Sequence, residues 1–401
     1  MIKKLFICLC VMFLCIPLKS VHAEELKLAP NASSSILIEA STKQVLNATQ
    51  ETEKLFPAST TKIMTMILLF EAINKGTLKW DDVLTCSAYA ASMGGSQVYL
   101  EEGERMSVSD LFKAISIASG NDACVMVGER IAGSNEGFVK MMNEKAKELK
   151  LKNTHFMNPT GLHDDNHYTC AFDLAMMASY LIEIGGERLF QTTSLYDSYI
   201  RENTEKKFWL VNTNKLLKSY EGADGLKTGY TKEAGYCIVS TAKRNGLRLI
   251  AVVMKESDPK VRNQEVSQLL DYGFSLYENI TLFKKGDIVE KVKIENAREK
   301  YVEAVCKEDV VYVKDKSSKD KVTYEMNYTN IVPPLKKGET IGHVLLMRND
   351  TNIASFDVVA HKDIAALTLP EKCINIYNFL FKIRPYRYQN VSIGFIALCL
   401  R

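Results

Sequence analysis

The sequence is short of the features from which metal, disulfide or nucleic-acid chemistry is built. Ten cysteines occur in 401 residues, and Cys8, Cys10 and Cys15 lie in an apolar N-terminal run. The other seven (Cys86, Cys124, Cys170, Cys237, Cys306, Cys373 and Cys399) are odd in number and widely spaced, with no C-x-x-C pair. Neither a disulfide framework nor a zinc site is indicated. Cys124 and Cys237 stand in apolar surroundings and read as small core residues. Histidine is scarce at six. His163 and His167 are four apart, but no glutamate follows the first as in H-E-x-x-H, so a structural or loop role is expected and no metal. An excess of one charge is missing too. The chain has 51 basic and 48 acidic residues; removing residues 1–23 takes away Lys3, Lys4 and Lys19 and no acid, which leaves 48 of each. A near-neutral mature chain gives no support to nucleic-acid binding.

What is present is an ordinary globular composition, 46% apolar and 25% charged, long enough for two or three domains. Lys3 and Lys4 precede the apolar run Leu5 to Leu18, then Val21-His22-Ala23 and acidic Glu24-Glu25. This reads as a secretory signal peptide over 1–23 with cleavage after Ala23, a retained membrane anchor being the alternative. No small residue of a lipobox precedes the early cysteines, so no lipoprotein is expected.

The chain is organised around Phe56-Pro57-Ala58-Ser59-Thr60-Thr61-Lys62, which runs into Ile63 to Phe70. That run is apolar nearly all round and reads as a buried helix. Pro57 marks the helix start, with Ser59 and Lys62 in its first turn. Three residues apart on a helix is one face. An amine held there can take the proton that keeps a hydroxyl from acting as a nucleophile. Ser-x-x-Lys by itself is a weak signal, because both residues are common.

Around it the pattern predicts a hairpin over Ser35 to Ala40 and Gln44 to Leu46, then loop-rich chain from Glu71 to Gly103. Helices are expected from Ser107 to about Ala118, Asp122 to Ile131, Glu136 to Leu149 and Phe172 to Ile184. Asn158-Pro159-Thr160-Gly161-Leu162 is turn chemistry. Strands Gly235–Thr241 and Leu247–Met254 join through Asn245-Gly246, suited to a tight hairpin. A helix from Val266 to Glu278 closes an α+β domain over 24–281, helices on an antiparallel sheet. Short alternating runs at 289–294, 310–313, 322–324, 341–345 and 356–359 predict a separate all-β sandwich domain over 282–369. Residues 370–401 are rich in aromatic and aliphatic side chains flanked by Lys372, Lys382, Arg384 and Arg387. With Val391 to Leu400 too short to span a bilayer, this tail reads as an amphipathic anchor on a membrane surface. A C-terminal helix packed on the protein's own core is the alternative.

Three motifs stand in order on the first domain: Ser59-x-x-Lys62, Ser119-Gly120-Asn121 and Lys227-Thr228-Gly229. Each is weak alone. In order, at a buried helix, an inter-helix turn and the start of a strand, they resemble the motif set of penicillin-binding proteins and serine β-lactamases, with Gly120 in place of aspartate. Together with Asp224-Gly225-Leu226, Ala234-Gly235-Tyr236-Cys237 and Asn158 to Leu162, the sequence resembles the low-molecular-mass D-alanyl-D-alanine carboxypeptidases over nearly all of 24–370.

The resemblance implies a serine carboxypeptidase without cofactor, acting on peptidoglycan stem peptides in the cell-wall space and acylated by β-lactam antibiotics. It implies Ser59 as nucleophile, Lys62 as proton acceptor kept neutral by burial and by Lys227, and Ser119 as relay to the leaving amine. Asn121 would hold the substrate's peptide carbonyl. Lys227, Thr228 and, more distantly, Arg262 would receive the terminal carboxylate. The N–H groups of Ser59 and Tyr230, beside Gly229, would form the oxyanion hole. Thr213 stands where some relatives have arginine before the residue matched to Asn214, and Cys170 where relatives have a small hydroxyl residue near Asp173. A β-lactamase is the nearest rival, but no Glu-x-x-Leu-Asn setting occurs between Asn121 and Lys227. A D,D-endopeptidase would use the same residues. A non-catalytic wall-binding protein would have no need of the paired hydroxyl and amine.

Overall fold

The computed structural model describes residues 26–329 and 331–382, and the apolar run after Lys62 forms its most deeply enclosed helix. Helix α1 (Lys62–Asn74) is buried continuously from Lys62 to Ala72, as a helix without a polar face must be. A single 3-10 turn, Ala58–Thr61, leads into it. Ser59 therefore stands on a tighter turn than the α-helical one expected. Residues three apart eclipse one another in a 3-10 turn, which sets Lys62 directly over Ser59.

The described residues divide into two units, one of 26–38, 45–242 and 250–271, the other of 39–44, 243–249 and 272–382. In the first, β1 (Ser34–Glu39) and β2 (Val45–Thr49) pair antiparallel. The expected loop-rich region holds a small ladder of β3 (Val83–Thr85) and β4 (Arg105–Ser107) around a short helix α2 (Ala88–Ala91). Helix α3 (Val108–Ser116) starts at Ser107, whose Oγ accepts the Asp110 N–H at 3.1 Å, a helix-starting cap. Helices α4 (Asn121–Ala132) and α5 (Asn135–Glu148) follow, separated by left-handed Gly133 and the Ser134 cap. Helix α6 (Ala171–Thr193) outruns the expected Ile184 because the chain resumes helical geometry after a break at Gly186. Cys170 takes the capping position there, its Sγ accepting the Asp173 N–H at 3.4 Å, so a thiol does the work that a hydroxyl or carboxylate does at most helix starts.

Strands β5 (Asp197–Ile200) and β6 (Phe208–Val211) form a hairpin, followed by a short helix α7 (Leu216–Ser219). Strands β7 (Ala223–Thr231), β8 (Gly235–Arg244) and β9 (Leu247–Glu256) complete a sheet of order β2-β1-β9-β8-β7. The β8–β9 turn has both Asn245 and Gly246 at positive φ, as its dipeptide predicts. Helix α8 (Pro259–Leu276) begins seven residues before the expected Val266. Asp258 Oδ1 accepts the N–H groups of Lys260 and Val261 at 2.7 and 3.1 Å, and Pro259 suits a first helical position.

The second unit is built of antiparallel strands. A two-stranded sheet pairs β10 (Tyr277–Phe283) with β13 (Val310–Asp315). A five-stranded sheet of order β11-β12-β16-β15-β14 takes β11 (Ile288–Lys293), β12 (Tyr301–Cys306), β14 (Val322–Tyr328), β15 (Thr340–Arg348) and β16 (Thr351–Ala360). Both sheets contribute to one core that includes Ile280, Val310, Tyr312, Val302, Val344 and Val358, the packing of a sandwich. β10 and β12 are the strands the alternating pattern missed; β10 was masked by the periodicity of the helix before it. Helix α9 (Leu369–Lys382) closes the described chain. Among the described residues no helix is long and apolar enough to cross a membrane. The signal peptide expected over 1–23 and the tail beyond Lys382, with Val391 to Leu400, lie outside the described residues.

Candidate active site

Lys62 is fully buried, and its Nζ lies 2.9 Å from Ser59 Oγ, 2.7 Å from Asn121 Oδ1 and 2.7 Å from the Thr160 carbonyl oxygen. Two of these three partners can only accept. A neutral amine has two N–H groups and one lone pair, so the donors go to Asn121 and Thr160 and the lone pair is left for the Ser59 hydroxyl. The arrangement aims a base at one oxygen. Burial pushes the Lys62 amine down to about 8, opposed by nearby Cys124 and the Asp122 carboxylate. Burial, not repulsion from Lys227, is therefore the cause of the downward shift. Lys227 is itself pushed well below its ordinary value, first by burial and then by repulsion from Lys62.

The second motif reaches the site through backbone geometry. Ser119 is held at φ 65 between α3 and α4, a left-handed conformation costly for a non-glycine residue. Its Oγ is buried without a hydrogen-bond partner, a hydroxyl free for a bound molecule. Asn121 is fixed at both ends of its amide: Oδ1 accepts from Lys62, and Nδ2 donates to the Gly94 carbonyl at 2.7 Å. Asp122 organises that wall by accepting the N–H groups of Val98 and Leu100 at 3.0 and 3.1 Å.

Lys227, Thr228 and Gly229 lie in the middle of β7, not at its start, with Gly229 opposite Cys237 in register. A Cβ on Gly229 would come within 2.8 Å of the Ser59 nitrogen and 2.9 Å of the Pro57 carbonyl oxygen. Only a residue without a side chain lets the strand approach the nucleophile turn so closely. Thr228 Oγ1 donates to Thr213 Oγ1 at 2.7 Å. Tyr230 points outward, 57% exposed, and stacks on Tyr236 with ring centroids 4.3 Å apart. Arg262 is buried near the start of α8, and its Nη2 donates to Asn263 Oδ1 at 2.8 Å. It hydrogen-bonds none of the other candidate residues but depresses the Lys227 amine electrostatically. Burial holds both lysines below their ordinary values and Arg262 disfavours the charge on Lys227 further, so a bound anion would favour their protonated forms.

Ser59, Lys62 and Asn121 are thus joined directly, Gly229 by close approach, and Lys227 and Arg262 through charge. Sequence reasoning missed the roles of Thr160 and Asp122. Thr160 acts through a main-chain oxygen in the Asn158–Leu162 turn, where Asn158 Oδ1 accepts the N–H groups of Thr160 and Gly161 at 3.1 and 2.8 Å. Gly161, at φ +85, has no room for a Cβ, which would fall 1.8 Å from the Ala58 carbonyl oxygen. The turn chemistry was legible, but its target was not. Among the described residues no group of three or more metal-binding side chains occurs.

Residues 19–258 match the D-alanyl-D-alanine carboxypeptidase family, and residues 277–366 match the C-terminal domain of penicillin-binding protein 5. The chain is 47% identical over 339 residues to the D-alanyl-D-alanine carboxypeptidase DacF of Bacillus subtilis strain 168, covering 84% of this chain and 87% of that protein. Its fold is similar to penicillin-binding protein 5 of Haemophilus influenzae, with TM-score 0.68 and 30% identity, covering 84% and 98% of the two chains. It is also similar to penicillin-binding protein D2 of Listeria monocytogenes in an ampicillin-bound form, with TM-score 0.55 and 32% identity over 61% and 98% of the chains.

Proposed function

The chain belongs to the D-alanyl-D-alanine carboxypeptidase family, and on that premise we propose that Ser59 and Lys62 carry out serine-type hydrolysis of the terminal D-alanine from peptidoglycan pentapeptide stems. The observation that carries the reading is the Lys62 amine, whose only partner able to donate is the Ser59 hydroxyl.

In this reading Ser59 Oγ attacks the carbonyl carbon between the two D-alanines while its proton passes to Lys62 Nζ. The oxyanion of the tetrahedral intermediate sits between the N–H groups of Ser59 and Tyr230, each worth on the order of 3 kcal/mol. The C–N bond then breaks as Ser119 hands the leaving amine its proton and takes back the one held on Lys62, so that the amine is neutral again; the unpartnered Ser119 Oγ suits that relay. Water hydrolyses the acyl ester and restores Ser59. Lys227 and Thr228 receive the substrate carboxylate, with Arg262 adding charge from behind. Asn121 both anchors Lys62 and borders the acyl carbonyl. A β-lactam is a cyclic amide that enters the same attack, and the ampicillin-bound relative supports that extension.

The first unit carries the chemistry. The finer placement is an exported protein at the outer face of the cytoplasmic membrane, with 1–23 as its signal peptide and 370–401 as a surface anchor. Leu369, Ile374, Ile376, Tyr377 and Phe379 on α9 are each more than half exposed, which supports an interfacial tail.

The deciding experiment is mass spectrometry of products from a synthetic pentapeptide ending in D-Ala-D-Ala, beside a cross-linked dimer, for wild type and Ser59→Ala. Loss of one alanine from the pentapeptide by wild type alone is expected. Cleavage of the dimer alone would reassign the protein as an endopeptidase, and binding without cleavage would make it an inert wall binder.

A further inference from the structure

His167 is buried at 2% exposure, yet no step above uses it. Its surroundings decide its hydrogens. The Met157 N–H donates to Nδ1 at 3.3 Å, so Nδ1 carries no proton. Burial holds the ring neutral, pushing it down to about 4, with Asp164 opposing and His155, His163 and Lys62 adding to the push. A neutral imidazole has one N–H, which must then be on Nε2. Nε2 lies 2.9 Å from Thr61 Oγ1 and donates to it. The Phe156 ring packs edge-on against the imidazole at 5.7 Å and keeps it from turning.

The two ends of this bridge are informative. Thr61 is the last residue of the 3-10 turn that carries Ser59 and directly precedes Lys62. Met157 lies three residues before Thr160, whose carbonyl oxygen fixes the Lys62 amine. The ring therefore ties the segment that holds Ser59 and Lys62 to the segment that supplies the acceptor for Lys62. A second tie runs parallel, from Thr65 Oγ1 to the Pro159 carbonyl at 2.8 Å, but it lies a full turn further along α1.

We propose that His167 is a positioning residue for the reaction: through its Nε2–H to Thr61 and its Nδ1 from Met157 it sets the Lys62 amine between Ser59 and Thr160. This inference rests on the reading that Ser59 is the acylated residue. Misplacing a base by a fraction of an ångström lowers the chemical step without touching the binding step.

The test is penicillin acylation followed by stopped flow, which separates pre-acylation binding from the acylation rate constant, with thermal melting alongside. Thr61→Val removes the acceptor at constant shape. His167→Asn keeps an acceptor near Met157 but cannot reach Thr61. His167→Gln restores a donor near the Nε2 position. The expected result is an acylation constant lowered about 10- to 100-fold in Thr61→Val and His167→Asn, with pre-acylation binding within about threefold. His167→Gln should recover most of the rate, and the double variant Thr61→Val/His167→Asn should be no slower than either single, as for two ends of one interaction. Should His167→Asn not fold, Thr61→Val and His167→Gln decide between them. A folded Thr61→Val that acylates like wild type, or losses that multiply in the double variant, would overturn the proposal. Failure of wild type to be labelled, or labelling of Ser59→Ala, would instead overturn the assignment of Ser59.

Discussion

Replacing Gly229 by alanine would place a methyl group 2.8 Å from the Ser59 nitrogen, 2.9 Å from the Pro57 carbonyl oxygen and 3.0 Å from the Thr60 nitrogen. Ordinary contact begins near 3.4 Å, so β7 and the 3-10 turn must part by roughly half an ångström. All three neighbours are main-chain atoms, and no side chain can swing aside to absorb the strain. The retreat acts where Ser59 and Tyr230 are proposed to offer their N–H groups, which work at about 2.7–3.1 Å from the developing oxyanion. Losing one such donor costs on the order of 3 kcal/mol, or about 10²- to 10³-fold in rate. Overpacking also costs about 1–3 kcal/mol of stability, a melting shift of about 2–4 °C per kcal/mol in a domain of this size. The assay is acylation by a fluorescent penicillin, read as binding and rate constants, with calorimetry on the same samples. A folded Gly229→Ala protein that acylates within about threefold of wild type would refute the close-approach argument, because the methyl group would then have been accommodated without disturbing the donors.

The acylation rate should follow the neutral form of Lys62, whose amine is held at about 8. Only about a tenth is neutral at pH 7, so the rate should rise roughly tenfold per unit at lower pH and level off above about 8; a flat profile between pH 6 and 9 would exclude Lys62 as the base. Ending the chain after Thr368 removes α9 with its exposed Ile374, Ile376, Tyr377 and Phe379. The truncated protein should leave the membrane fraction with its acylation rate unchanged, and an unaltered fractionation would count against the interfacial tail.

Much of the first unit was legible because its local signals are strong. Ile63 to Phe70 can be stable only inside a core, Ser107 announces α3, and Asn245-Gly246 accepts the left-handed geometry of a tight hairpin. The errors came where one local pattern covered another. The early start of α8 was written in Asp258-Pro259 but outweighed by the stronger apolar spacing from Val266 onward. The turn before Lys62 was read as α-helical because three-residue spacing suits both helix types. β10 disappeared behind the end of a helix.

The sequence by itself determined which groups could do chemistry: a serine and an amine three residues apart, a second serine and an asparagine at a helix junction, and a Lys-Thr-Gly run. These are properties of residue type and short-range order, which a sequence records. Only the tertiary structure decided how the groups act on one another. That burial lowers the Lys62 amine, that Asn121 and Thr160 take both N–H groups of its neutral form, and that His167 touches the turn through Thr61 depend on segments about 60 to 110 residues apart. A main-chain carbonyl such as that of Thr160 has no side-chain signature, and a desolvation penalty belongs to the whole surrounding volume. The motif offered a candidate base; the packing around it turned the amine toward one oxygen.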